Sequence, residues 1–387
     1  MTTRQLLLTR IGLLVAGASL WPARAGAYPQ WQLSSGAVRC DQCHVAPAGG
    51  GLLSERGRVI AGDELSTFSG DGELLHGAAT LPGWLRIGAD VRGAYVAGAA
   101  QASSVTPQAV FPVEAEAQAL LSWAGVSLYG TLAARGQWPG DGDTTVPLQN
   151  YQPVAVPWLF SREHWLMWRR RDRGIYLRAG RFFAPFGLHL AEPITYVRRD
   201  LGFNELEESY NLSAGYLSDS WELHVTGFAP DYLRHLGSQE TGAAAYFERR
   251  FRQGAGAFAL QGRYATRPGV SRAVGGAVAK YHLAAIRTLL LAEADAVLLS
   301  VEGLRGRGQA VGLLGLAVLP IKGVMITALA EHDQEDLDVR GAARSAATLM
   351  LGWFPYAHMA AQVMARAEVP AGGAAAKLLF AQLHYFL

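Results

Sequence analysis

The residues best suited to chemistry are two cysteines in one short motif, Cys40-Asp41-Gln42-Cys43-His44. This is the Cys-x-x-Cys-His spacing of c-type haem attachment. Two thiols three positions apart reach the two vinyl groups of one porphyrin, and the next residue, His44, is then held beneath the iron as proximal ligand. A disulfide between Cys40 and Cys43 is the alternative interpretation. The motif predicts one covalent haem c on Cys40, Cys43 and His44.

A second axial ligand for that iron is less clearly indicated. Residues 28–83 contain no methionine, so the His/Met pair of small cytochromes cannot come from this segment alone. Its other histidine is His76. Farther along, four histidines fall on one side of the predicted strand alternation and near one end of the strands. The candidate distal ligands are therefore His76, His224, His282, His358 and His384, and the alternative for each is an ordinary polar residue.

The N-terminus has the pattern of an export signal. Arg4 and Arg10 make the start of the chain positively charged. A short apolar run then leads to small residues before position 28. The run is too short to span a membrane, which is typical of a cleaved secretory signal. We therefore expect a signal peptide at 1–27, a monohaem cytochrome segment at 28–83 and a separate domain at 84–387.

The composition limits the fold of that domain. Hydrophobic residues make up 50% of the chain and charged residues 17%, yet no stretch supplies the roughly 18 apolar residues of a spanning helix. A β-barrel spreads apolar surface over many strands instead, and the 45 glycines, 14 tyrosines and 10 tryptophans suit its turns and interfacial girdles. The net charge of +2 gives no reason to expect a nucleic-acid partner.

Period-two segments separated by turns run from Trp84 to the C-terminus and number sixteen, an even count as in bacterial outer-membrane barrels. Short and long connections alternate, as periplasmic turns and extracellular loops do. In the last segment Leu379, Ala381, Leu383 and Tyr385 would face lipid. A secreted β-solenoid or β-sandwich is the alternative. The predicted strands are 84–97, 110–122, 124–136, 157–170, 174–183, 209–218, 220–229, 240–251, 255–267, 274–287, 289–302, 307–318, 321–333, 341–354, 356–368 and 373–387.

Two features bear on the barrel interior and its outer loops. Segments such as 311–319 are apolar on both faces, so we hypothesise that the haem segment enters the periplasmic side as a plug. A narrow barrel filled by its own side chains is the alternative. The connections 137–156 and 184–208 are expected outside the cell, as is the acidic stretch 331–338. That stretch would bind a cation such as Fe(II) or would simply be a solvated loop.

The export signal, the motif at Cys40, Cys43 and His44, and the porin-like barrel together resemble the fused monohaem c-type cytochrome–porin family, which includes outer-membrane iron oxidases. The stretch Ala179 to Gly187 is also similar to a strand-to-loop signature of phosphate-selective porins. The resemblance implies an outer-membrane electron-transfer protein with an iron oxidase-type activity. It would exchange electrons between an extracellular metal ion or mineral and a periplasmic cytochrome or other carrier.

Two other functions fit the same sequence. The first is a porin-like channel for small anions, with a disulfide or haem cap at its periplasmic end. The second is a haem enzyme or sensor with an open coordination position, because no methionine lies near the motif. Ion conductance would favour the channel, and a low-spin haem would favour electron transfer.

Overall fold

A computed structural model of the chain describes residues 33, 35–70, 73–99, 108–134, 145–146, 154–155, 159–192, 194–204, 207–232, 238–370, 373 and 375–387. The predicted signal peptide, residues 1–27, lies outside these residues. In the described part of the chain, no helix is long and apolar enough to cross a membrane.

Short helical turns make up the N-terminal segment. A 3₁₀ turn at Cys40–Gln42 is followed by helix α1, Glu55–Val59, a π-helical turn at Ile60–Leu65 and a second 3₁₀ turn at Leu74–Gly77. Helix α1 begins at Ser54, whose side-chain oxygen accepts a hydrogen bond from the backbone N–H of Gly57 at 3.1 Å. This is ordinary N-capping, and it fixes the start of a helix too short to be stable alone.

The rest of the described chain forms an antiparallel barrel. Strand β1 pairs with β2 on one side and with β19 on the other, so the sheet closes without a free edge. The strands are β1 Leu85–Ala99, β2 Gln108–Trp123, β3 Val126–Ala134, β4 Thr145–Val146, β5 Val154–Ala155, β6 Leu159–Phe160, β7 His164–Trp168, β8 Gly174–Phe182, β9 Ser209–Leu217, β10 Trp221–Ala229, β11 Thr241–Phe251, β12 Gly256–Arg267, β13 Val270–Leu283, β14 Thr288–Val301, β15 Arg307–Ile321, β16 Val324–Gln334, β17 Ala343–Trp353, β18 Met359–Val369 and β19 Ala376–Phe386.

Among the described residues these strands fill sixteen barrel positions, which confirms the predicted count. Strands β6 and β7 both pair with β3 and share one position, while β4 and β5 form a separate ribbon. Most predicted boundaries differ from the observed ones by a few residues, and two of these differences have a clear cause. Strand β13 starts at Val270, directly after a tight Pro268-Gly269 turn, rather than at 274. The turn expected at Pro320 lies at Lys322-Gly323, because an irregularity in the pairing lets β15 continue through the proline.

The outer face of the barrel is apolar and carries an aromatic girdle at one end. Leucines within the strands point outward, including Leu212, Leu298 and Leu314. Exposed aromatic rings gather at the end with short turns: Trp84, Trp123, Trp168, Phe251, Trp353 and Tyr356. An apolar band with an interfacial girdle is the lipid-facing surface of an outer-membrane barrel. Since short turns face the periplasm in such barrels, this end is periplasmic.

The connection after β8 folds into the barrel interior, contrary to our expectation that 184–208 lies outside the cell. Its apolar residues join one core cluster with inward residues of distant strands, such as Leu289, Leu313 and Leu329. This connection, called the inner segment below, therefore covers the part of the wall that is apolar on both faces. We had expected the haem segment to cover it. The buried apolar residues of the inner segment are Ala184, Phe186, Leu188, Leu190, Tyr196, Val197, Leu201 and Phe203.

Polar contacts anchor the inner segment to the wall. The backbone N–H of Leu188 donates to Glu293 Oε2 at 2.9 Å, and that of Tyr196 donates to Glu331 Oε2 at 2.6 Å. Arg344 on β17 donates to Asp200 at 2.6 Å, just after helix α2, Tyr196–Arg199. Charged hydrogen bonds in a buried setting hold a segment more firmly than neutral ones.

Candidate haem-attachment site

The motif forms a single helical turn. The backbone N–H groups of Cys43 and His44 both donate to the carbonyl oxygen of Cys40, at 3.1 and 3.0 Å. The chain then turns back on itself, so that His44 pairs with Leu53 in a short antiparallel bridge. The three predicted attachment residues therefore lie together on one turn, with Cys43 and His44 buried and Cys40 partly exposed.

Glycines let the backbone approach this turn closely. Gly49 has a positive φ, and a Cβ atom there would lie 3.3 Å from Cys40 Cβ and 3.6 Å from the His44 ring. On the other side a Cβ at Gly57 would lie 2.1 Å from the carbonyl oxygen of Cys43. A side chain at Gly57 would clash with the motif, so α1 can pack there only through a glycine.

The chemistry of the motif fits a haem c. Both thiols are unpaired, and burial raises the pKa of Cys40 to about 12 and that of Cys43 to about 11. A helical turn that presents two free thiols and the next histidine is the arrangement that two thioether bonds and a proximal ligand require. Elsewhere among the described residues, no cluster of three or more His, Cys, Asp or Glu side chains could hold a bare metal ion.

Ion pairs tie the motif to periplasmic turns of the barrel. Buried Arg39 contacts Asp219 in the β9–β10 turn and donates to the carbonyl oxygen of Asp172 in the β7–β8 turn at 3.3 Å. Arg169, at the end of β7, donates to Asp41 Oδ2 at 2.9 Å. Asp41 lies between the two cysteines, so the barrel contacts the motif itself.

The following residues of the segment continue along the periplasmic end. The backbone N–H groups of Thr67 and Phe68 donate to the carbonyl oxygens of Phe354 and Pro355, at 2.8 and 2.9 Å. Lys322 donates to Ser69 Oγ at 2.7 Å. Residues 39–69 therefore contact turns from four different hairpins of the same barrel end.

On the inner side, the loop after His44 enters an aromatic cluster. Leu52 is buried among inward side chains of β2, β3, β7 and β8, and Tyr129 stacks on Trp165 with ring centroids 4.9 Å apart. Gly51 lies close to the Tyr129 hydroxyl. The cluster comprises Val45, Ala46, Leu52, Leu120, Tyr129, Trp165, Met167, Tyr176, Phe182 and Leu217.

A buried charged network lies beside Cys40. Glu248 accepts from Lys280 at 2.6 Å and pairs with Arg250 at 2.9 Å. Arg250 also pairs with Glu222 on the neighbouring strand. All four charged groups lie close enough to Cys40 to act electrostatically on its thiol.

The predicted distal ligands lie on several strands and turns and do not converge on one place. His224 is buried inside the barrel, where its Nδ1 lies 2.6 Å from the Tyr176 hydroxyl and its Nε2 lies 3.4 Å from Glu222. His384 Nε2 pairs with Asp90 at 3.0 Å. Both rings therefore already have specific partners in the barrel wall.

The remaining candidates lie at the periplasmic end. The rings of His76 and His358 meet edge to face with their centroids 5.0 Å apart. Both residues have positive φ values. His358 Nε2 also lies 3.0 Å from the carbonyl oxygen of Glu73. His282 is half-buried near the β13–β14 turn. The sequence did not indicate that His76 and His358 would be neighbours.

The acidic stretch 331–338 is only partly the outer loop that we expected. Glu331 and Asp333 belong to β16 and are buried, facing inward. Glu331 pairs with Arg366, and Asp333 accepts from Arg344. These carboxylates neutralise interior arginines, so they are not part of an exposed cation site.

Comparisons with solved structures identify the barrel. No protein-family model and no curated protein match the sequence. A loop-deletion mutant of OmpT, an outer membrane protein of Vibrio cholerae, matches with a TM-score of 0.58 and 12% identity, covering 78% of this chain and 99% of that one. The fold is that of an outer-membrane porin.

Two further structures give the same result. OprB of Pseudomonas putida matches with a TM-score of 0.57 and 12% identity, over 79% of this chain and 94% of that one. An anion-selective porin from Comamonas acidovorans matches with a TM-score of 0.58 and 8% identity, over 78% and 99%. At such low identity the likeness shows the fold, which is a membrane-embedded barrel. It does not show that this chain shares a substrate with those proteins.

Proposed function

We propose that this chain is an outer-membrane electron-transfer protein. It would carry one haem c on Cys40 and Cys43, with His44 as proximal ligand, and exchange electrons between an extracellular donor or acceptor and a periplasmic carrier. The observation that carries the proposal is the single buried turn that presents both free thiols and His44 at the periplasmic mouth. The haem would supply the redox chemistry, and the protein its position and surroundings.

The filled interior supports electron transfer over diffusion of solutes. The inner segment occupies the lumen beside β14–β16, and we propose that the N-terminal segment closes the periplasmic mouth. An open porin lumen is polar and water-filled. Here many of the inward charges are paired with one another, as in Arg263 with Glu240 and Arg366 with Glu331.

An external reactant in this proposal is a metal ion or mineral, with Fe(II) as the first to test. The hydrocarbon layer is roughly 30 Å thick, and a haem at the periplasmic mouth would lie toward one side of it. A soluble ion would therefore have to enter the outer part of the lumen before it could react. A periplasmic cytochrome, in contrast, would approach the motif from the periplasmic end of the barrel.

A porin-type channel for small anions is the second candidate, and the comparisons taken alone favour it. In that case Cys40 and Cys43 would form a disulfide, or hold a haem, in a cap over the periplasmic mouth. The inner segment would then restrict the pore and select its solutes.

One pair of measurements on the full purified chain separates the two candidates. The chain is produced in cells that mature c-type cytochromes, stained for haem after denaturation, and then reconstituted in planar bilayers. Electron transfer predicts a stained band and little steady conductance. A colourless band with steady, anion-selective conductance would overturn the proposal in favour of the channel.

A further inference from the structure

The barrel contributes one methionine to the surroundings of the motif. Met167 on β7 is buried, points inward and packs in the same cluster as Val45 and Ala46, the two residues that follow His44. Two positions farther on the same face, Arg169 donates to Asp41 inside the motif at 2.9 Å. Strand β7 therefore runs past the motif with its inward side chains facing it.

Other methionines in the described chain do not share this position. Met325, Met350 and Met364 belong to the core cluster around the inner segment, and Met359 is exposed. The cluster around Met167 is aromatic and dry, with Tyr129, Trp165 and Phe182. Such surroundings keep water from a metal-bound thioether.

Some of the candidate histidines already contact other groups of the protein. His224 Nδ1 lies 2.6 Å from the Tyr176 hydroxyl and His384 Nε2 lies 3.0 Å from Asp90, so iron would have to compete for these nitrogens or bind the opposite ones. His358 is engaged with the carbonyl oxygen of Glu73 at the rim. A thioether has no such competing hydrogen bond, because its sulfur is a weak acceptor.

We propose that Met167 is the distal axial ligand of the haem held by Cys40, Cys43 and His44. This inference rests on the proposed haem. The iron would then be ligated from both parts of the chain, by His44 of the N-terminal segment and by Met167 of the barrel wall. His/Met ligation is a standard pairing in c-type cytochromes and raises the reduction potential.

The test compares ferric and ferrous spectra of the full haem-loaded chain with those of M167A and M167H. The proposal predicts that M167A loses the ferric methionine-to-iron charge-transfer band and becomes high-spin. M167H should return to a low-spin spectrum without that band and with a lower reduction potential. M325A, which removes a buried methionine from the other cluster, should leave the spectrum unchanged.

Two outcomes distinguish a failure of the Met167 inference from a failure of the proposed function. If the haem is present and M167A keeps the wild-type spectrum, Met167 is not the ligand, and H224A and H358A tested in the same way would reveal a histidine instead. If no variant contains haem, the proposed function itself fails. Migration of the unheated protein on a gel shows for each variant whether the barrel has folded.

Discussion

At the scale of single residues, the surroundings of Cys40 and Cys43 determine the reactivity of their thiols. The thiolate is the reactive form, and burial disfavours it at both positions. The helical turn nonetheless keeps Cys40, Cys43 and His44 next to one another along the backbone. The turn therefore holds two neighbouring thiols whose burial favours the protonated form.

This setting predicts slow alkylation of the haem-free folded chain. Because the pKa of Cys43 is raised from 9.0 to about 11, its thiolate population at pH 8 falls about a hundredfold. The rate should rise about tenfold per pH unit between pH 8 and 11. Mass spectrometry of iodoacetamide adducts, with denatured chain as reference, measures it. Equal rates in the folded and denatured chains would show that the motif is exposed.

At the scale of elements, the N-terminal segment depends on a few buried ion pairs with periplasmic turns. Arg39 and Arg173 both pair with Asp219, but the side chain of Arg39 is 4% exposed and that of Arg173 is 68% exposed. Buried pairs lose far more when one partner is removed than exposed pairs do. The two arginines thus offer a matched comparison.

We predict that R39A loosens the segment and R173A does not. Because Asp219 is 44% exposed, loss of the Arg39 guanidinium should cost roughly 1.4 kcal/mol of docking free energy, which corresponds to about tenfold faster proteolysis within 45–70. Limited proteolysis in detergent with mass mapping of the cleavage sites measures this. Similar cleavage of both variants would mean that the ion pair does not hold the segment.

The inner segment depends on Glu331 in a similar way. E331A removes the acceptor of the Tyr196 N–H and leaves Arg366 without its buried carboxylate. We expect a loss of roughly 3–5 kcal/mol and faster hydrogen exchange across 196–199. D338A, at an exposed position outside the barrel, is the control. Unchanged exchange in E331A would contradict the anchoring role.

The sequence predicted the strands well and the interior poorly, for physical reasons. Period-two alternation is a local signal, so all sixteen strands were found within a few residues. Burial of Phe186 or Leu201 depends on strands about 100 residues away, and no local pattern in a Pro- and Gly-containing connection reports it. Likewise, alternation places Met167 inward, but only the closed barrel brings it to the motif.

At the scale of the whole molecule, the exposed apolar face stabilises the barrel only in a lipid bilayer. Leu314 lies at the middle of β15 and points outward, whereas the exposed Leu337 lies in the loop beyond β16. L314R should therefore cost roughly 2–4 kcal/mol at the bilayer midplane, and L337R close to nothing. Urea-induced unfolding in liposomes measures both. Equal effects would place the membrane elsewhere.

Across the whole molecule, the motif lies at the periplasmic end and the inner segment lies between it and the outside. The most direct measurement uses proteoliposomes that contain the haem-loaded chain, trapped ferricyanide and externally added Fe(II). Electron transfer through the haem predicts reduction of the trapped ferricyanide by the wild-type chain, none by C40S/C43S, and no leakage. Ferricyanide that escapes from the vesicles, or stays oxidised beside a loaded haem, would contradict transmembrane electron transfer.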